Sequence, residues 1–299
     1  MTWFPVDGRP FSRVRWIRWH VFDFTVISAC FAAIGALIAA YWFVPTTFEG
    51  EFRTESVHIE RVSLDHAPTW TFKEAKIFIE DEDARPFSGE VAVQSGIRVS
   101  VQRIAHGAVR VRLGAERPSL RVATLIPLDG TPTVALGRLV LVIDDIDEKS
   151  KSGEHVILPI IGRIAVGSDS IDLMSPTTGL LHGGRIRLVG HSVFSGSRFD
   201  AGLFELSAGD RFSVANSSSD GYGVIVADDS SGLLCSYREV GSRGHVSRMG
   251  SKGYDIGVSI FERCKSDKII QATWAAFGLL YAIRKVRQKD SAWQLRLPF

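Results

Sequence analysis

The sequence predicts an all-β extracytoplasmic body, a sandwich or jelly-roll-like fold or two stacked β-domains. It is carried on an N-terminal transmembrane helix, with a second short apolar helix near the C-terminus. Three observations predict this. Residues 24–44, FTVISACFAAIGALIAAYWFV, run for about 21 positions without a charge. From Glu49 to Lys268 apolar and polar residues alternate with period two instead of 3.6. Residues 269–283, IIQATWAAFGLLYAI, are apolar with basic residues on both sides.

The first element spans roughly 31 Å as a helix, the thickness of a hydrocarbon core, and has no polar face for water. Ahead of it, residues 1–23 form a basic tail with Arg9, Arg13, Arg15 and Arg18. Arginine-rich flanks translocate poorly, so this tail is expected in the cytoplasm. Trp16 and Trp19 suit the inner headgroup level, and Tyr41 and Trp42 the outer one. Asp23 falls at the helix start, where a carboxylate meets the positive end of the dipole. The apolar run exceeds a secretory h-region, and Leu37 and Ile38 stand where a cleavage triplet needs small residues, so a retained anchor is predicted.

The body follows in two halves, residues 49–147 and 155–267, separated by the polar stretch DDIDEKSKSGE at 144–154. In the first half the alternating runs are 56–62, 90–93, 97–101, 108–113, 120–126 and 134–143. In the second they are 155–161, 163–166, 185–189, 203–206, 211–214, 222–226, 233–240 and 255–261. Their Val and Ile content, and the turn pairs Asp129-Gly130, Gly183-Gly184, Gly209-Asp210, Asp220-Gly221 and Ser231-Gly232, read as strands and hairpins. Only 70–76 fits a helical spacing.

The last element, 269–283, is about 22 Å long as a helix, shorter than a usual span. Lys268 before it and Arg284, Lys285 and Arg287 after it can snorkel and lengthen its reach. A second transmembrane or interfacial helix is therefore expected, with 284–299 as a cytoplasmic basic tail. Both termini then face the cytoplasm, the main domain is periplasmic, and the protein belongs to the cell inner membrane.

The 299 residues carry a net charge of +2. Residues 1–23 contribute about +2 and 284–299 about +4, which leaves about −4 on everything between. Anionic lipid and topology account for basic tails. The acidic remainder excludes nucleic acid as the expected partner. Cys30 lies in the anchor; Cys235 and Cys264 lie in the exported part, where one disulfide between them is permitted. The eight histidines have no ligand spacing, the acidic runs 80–83 and 144–148 lack the pattern of a calcium loop, and Gly-rich phosphate loops are absent. No cofactor, metal site or catalytic residue is expected.

One stretch resembles an enzyme motif. His191–Val214 contains HSVFSGSRF followed by LSAGDRFSV, similar to the nucleophile and β-strand boxes of type I signal peptidases. That resemblance implies a serine hydrolase, with Ser192, Ser195 or Ser197 within reach of a Lys or His. The sequence departs from the pattern at Arg198, where the family has Met, and Lys252 sits outside any matching motif. The overall outline, an anchor followed by antiparallel strands, resembles the lipopolysaccharide-transport adaptors of the bacterial inner membrane. It implies a lipid- or glycolipid-binding module. The residues themselves favour a non-enzymatic structural or adaptor component of an envelope complex, with the bilayer and envelope proteins as partners.

Overall fold

The computed structural model describes residues 44–79, 83–104, 107–144, 155–167, 180–215, 217, 220–227, 232–248 and 252–294, with Ser28 and Gly35. Apart from Ser28, Gly35 and Val44, the helix predicted over 24–44 lies outside these residues, as do Arg9, Arg13, Arg15, Arg18, Trp16, Trp19 and Trp42. So does most of the 144–154 seam.

From Pro45 onward the described chain is nearly all antiparallel β. In order its strands are β1 (Thr46–Thr54), β2 (Ser56–Val62), β3 (Thr69–Ile79), β4 (Arg85–Val93), β5 (Arg98–Arg103) and β6 (Val109–Gly114). Then come β7 (Arg121–Pro127), β8 (Thr133–Leu136), β9 (Arg138–Ile143), β10 (Val156–Val166), β11 (Leu181–His191) and β12 (Arg198–Leu206). The series closes with β13 (Asp210–Ala215), β14 (Gly221–Ala227), β15 (Leu233–Gly241), β16 (Arg243–Arg248) and β17 (Tyr254–Ile256). Two helices follow, α1 (Ile260–Ser266) and α2 (Lys268–Gln294).

The strands pair into two arrays that share β10. One runs β8-β7-β4-β3-β9-β6-β5-β2. The other runs β12-β11-β1-β15-β14, with β13-β16-β17 beside it. Strand β10 pairs β14 over its first part, then β2 and β13 over its last residues. The change of partner falls at Gly162, opposite both Gly221 and Val62. Its φ of +150°, and a Cβ that would sit 3.0 Å from the Val62 Cα, leave room for glycine alone. Trp70 of β3 fixes this crossing: it is buried, and its indole N–H donates to the Pro159 carbonyl at 2.7 Å.

Inward positions of both arrays form one continuous apolar core, from Phe48, Phe52, Trp70 and Leu113 to Ile160, Leu188 and Ile225. Strand β1 precedes β2 in the chain yet pairs β11 and β15, so the first strand belongs with the later ones.

Four local expectations need correction. Residues 70–76 are strand, not helix: a bulge between Phe72 and Ala75 puts Trp70, Phe72, Ala75 and Ile77 on the buried side, a spacing that imitates a helical stripe. The run 134–143 breaks at Gly137, whose φ is +62°, into β8 and β9. Gly183-Gly184 lies inside β11 and pairs with Arg53 and Phe52. Strand ends at Ile256, and Ser259 and Glu262 form a reciprocal capping box that starts α1.

Among the described residues no helix is long and apolar enough to cross a membrane. Helix α2 has 27 residues, and its apolar residues do not gather on one face. Trp274, Phe277, Leu279, Tyr281 and Ile283 are exposed along it.

Candidate functional site: the junction of β1, the β11–β12 turn and the helices

Where the chain joins and leaves the β-body, a small set of polar residues is buried together. Helix α1 has seven residues and one buried side chain, Arg263, only 2% exposed. Its Nη1 donates to the carbonyls of Pro45 (3.3 Å) and His191 (2.9 Å), and its Nη2 to Thr46 Oγ1 (2.8 Å). One guanidinium thus ties the first residues of β1, the last residue of β11 and α1. A planar fork of five donors suits such divergent acceptors, which a point-like ammonium cannot span.

Asp267 stands between the helices and is fully buried. Its Oδ1 accepts from the backbone N–H of Ile269 (2.9 Å) and Ile270 (3.4 Å), capping α2. Its Oδ2 accepts from Phe194 (2.6 Å) and Ser195 (3.2 Å) in the β11–β12 turn. Burial pushes this carboxyl up, but the four backbone donors outweigh it and hold it below the usual carboxylate range. His191 meets Thr47 Oγ1 at 3.4 Å, and burial, then the charges of Arg198, Arg263 and Arg238, hold its imidazole below its ordinary value.

The three serines singled out by the signal-peptidase resemblance lie here. His191 pairs Arg198 and Gly190 pairs Phe199, so the stretch is the turn of a hairpin. Ser192, Ser195 and Ser197 hydrogen-bond one another in a triangle, at 2.6, 2.9 and 3.0 Å. Among the described residues none of their bonds reaches a Lys or a His. Among the described residues no Lys or His is hydrogen-bonded to these hydroxyls to take their proton.

No family model, no curated protein and no solved structure matches this chain.

The remaining residues named from sequence are dispersed. Cys235 and Cys264 are both free. The disulfide allowed for them is not formed: Cys235 faces the core from β15 while Cys264 lies on α1. Burial pushes the Cys235 thiol up to about 12, and burial and the Asp267 charge raise Cys264. Lys268 and Lys285 are exposed on α2; Arg284 and Arg287 belong to the same helix. Among the described residues no three His, Cys, Asp or Glu side chains converge as metal ligands.

Arg263 and Asp267 escaped the sequence reading. Two signals were present: Ser259 three residues before Glu262, which marks a helix start, and an Asp immediately before an apolar run.

Outside this junction, a concavity of about 670 Å³ lies over β14, β15, β1 and β11. Its charges are matched across strands: Arg238 faces Glu49 at 3.7 Å, Arg187 meets Asp200 at 2.9 Å, and Arg185 meets Glu51 at 2.5 Å. Paired in this way, the ladder has little net charge to offer a ligand.

Proposed function

We propose that this chain is a non-enzymatic adaptor of a cell-envelope complex, holding its β-body on the extracytoplasmic side of the inner membrane. The observation that carries this reading is the Arg263 tie. It joins Pro45, which directly follows the apolar segment 24–44 in sequence, to α1, which directly precedes α2. The tie holds Pro45, where the β-body begins, beside α1, which leads straight into α2. The exposed apolar side chains of α2 then have lipid to cover them. Lys268 and Lys285, at the two ends of this stretch, can snorkel to the headgroups while its apolar side chains meet lipid.

A partner surface is offered by β8, which pairs only β7 among the described residues. Its Val134 and Leu136, with Ile126 and Leu128 beside them, are exposed, Leu128 by 74%. An unpaired four-residue edge bordered by apolar side chains suits strand addition by an envelope protein. The alternative, a lipid or glycolipid held between sheets, requires an open interior. Strand-facing positions from Phe52 to Ile160 are instead fully buried against one another.

Purification of the intact protein in mild detergent, with identification of what accompanies it, tests the reading. Envelope membrane proteins are expected in stoichiometric amounts and are lost in Val134→Lys, which blunts the edge without disturbing the core. Partner recovery unchanged by V134K, or extraction of stoichiometric lipid with no protein, would contradict it.

A further inference from the structure

A second concavity, about 910 Å³, lies on the outward face of β2, β5, β6 and β10, and four of its lining residues are Arg61, Arg98, Arg112 and Arg163. At its Gly114 end the register brings further cations, Arg110 and Arg138, beside the concavity. Arg98 on β5 and Arg138 on β9 both stand opposite Gly114 of β6. Residues two apart on a strand share a face, so Arg112 and Arg110 project on the same side as position 114. Gly114 presents no side chain, and nothing lies within 4 Å of where its Cβ would be. With neighbouring strands about 4.8 Å apart, Arg98 and Arg138 flank a vacant position about 10 Å wide, and Arg112 closes a third side.

Of these arginines, Arg98 alone has a carboxylate at ion-pair distance among the described residues. Glu116 reaches only Arg98, at 3.2 Å, and Glu60 reaches Arg211, at 3.8 Å. Among the described residues no carboxylate pairs with Arg110, Arg112 or Arg138. The Nε of Arg112 is buried with no hydrogen-bond partner there. Its guanidinium is held below the usual value, by burial first and then by the charges of Arg110 and Arg138. Like charges gathered on a sheet face repel unless an anion sits among them.

We propose that the Gly114 cradle binds a phosphoryl group of a phosphate-bearing ligand through Arg98, Arg112 and Arg138. A phosphoryl dianion presents three terminal oxygens for the three flanking guanidinium groups, whereas a carboxylate would leave one guanidinium unmet. An extended nucleic acid fits less well, because Glu60 and Glu116 border the site. The proposal stands independently of membrane anchoring and of the β8 edge.

The test is calorimetric titration of the full chain in neutral detergent with pyrophosphate at low salt. Saturable one-to-one binding is expected, weakened at least tenfold in Arg112→Gln and Arg138→Gln, as loss of a charge-assisted hydrogen bond implies. Gly114→Glu places a carboxylate in the cradle without a positive φ or a steric neighbour, so it keeps a native melting transition and abolishes binding. Inorganic phosphate and dihexanoyl phosphatidic acid separate the sources. At least tenfold preference for the lipid identifies a phospholipid headgroup, equal affinity a free phosphate, and either supports the cradle. Undiminished pyrophosphate binding in G114E, absence of binding at millimolar ligand, or equal binding of dihexanoyl phosphatidylcholine would overturn it. A single-stranded oligonucleotide that outcompetes pyrophosphate more than tenfold would overturn it too.

Discussion

Replacing Arg263 by Met keeps the buried aliphatic stem and deletes the fork. Three acceptors then lose their donors: the carbonyls of Pro45 and His191 and the hydroxyl of Thr46. Each buried acceptor left unmet costs about 1–3 kcal/mol, roughly 3–9 kcal/mol together. Two effects offset this. Pro45 is half-buried and its carbonyl regains some water, and the guanidinium's own desolvation cost of several kcal/mol disappears. The net expectation is a loss of about 3 kcal/mol, a large part of the 5–15 kcal/mol that holds a domain together. With a urea m-value near 3 kcal/mol/M, the midpoint falls by about 1 M with unchanged slope. Tryptophan fluorescence of the detergent-solubilised protein reads this directly. Arg263→Lys keeps the charge but cannot reach all three acceptors, so it should lose about half as much. A midpoint for R263M within about 0.2 M of wild type would refute the claim that this side chain stitches the junction.

Other perturbations follow from the same structure. Glu239 is buried beside Tyr237, whose hydroxyl donates to it; burial first, then the Glu60 charge, raise its carboxyl above the usual range, opposed by Ser217, Tyr237 and Arg163. A raised folded-state value gives stability that is present below the ordinary carboxylate pKa and lost as pH rises through the folded value. Glu239→Gln should therefore be more stable than wild type at pH 8, with the gap closing toward pH 4 in melting curves. Gly162→Ala forces a Cβ onto the Arg61 carbonyl at a positive φ and should cost about 3 kcal/mol or more in urea unfolding. Cys264, half-buried on α1, should react with a thiol reagent in the native protein, while Cys235 reacts only once urea unfolds the core.

Most strands were legible because one face of each array is buried, and burial writes itself as alternation. Those that were not show where alternation is hidden. In β1 the inward series Phe48, Gly50, Phe52 contains a glycine over which the Phe52 ring folds, so its middle position looks empty in sequence. In β16 only Val246 is a large apolar residue on the inward side, next to Gly244. In β3 a bulge converts period two into a false helical spacing. The junction was illegible for another reason. A cation in FERCKS reads as solvated, and only the fold brings Pro45, Thr46 and His191 around it. The arginine cradle was masked by the acidic balance of the part between the two basic tails, although the alternation of Arg110 and Arg112 in VRVRL had already placed both on one face.

If the chain is anchored as proposed, Thr131 and Ser12 lie on opposite sides of a membrane. Single cysteines at Thr131, exposed in the β7–β8 turn, and at Ser12 test it in spheroplasts, with Cys30 and Cys264 replaced and Cys235 left in the core. A membrane-impermeant maleimide should label T131C in intact spheroplasts and S12C only after permeabilisation. Labelling of S12C but not T131C before permeabilisation would contradict the proposed anchoring.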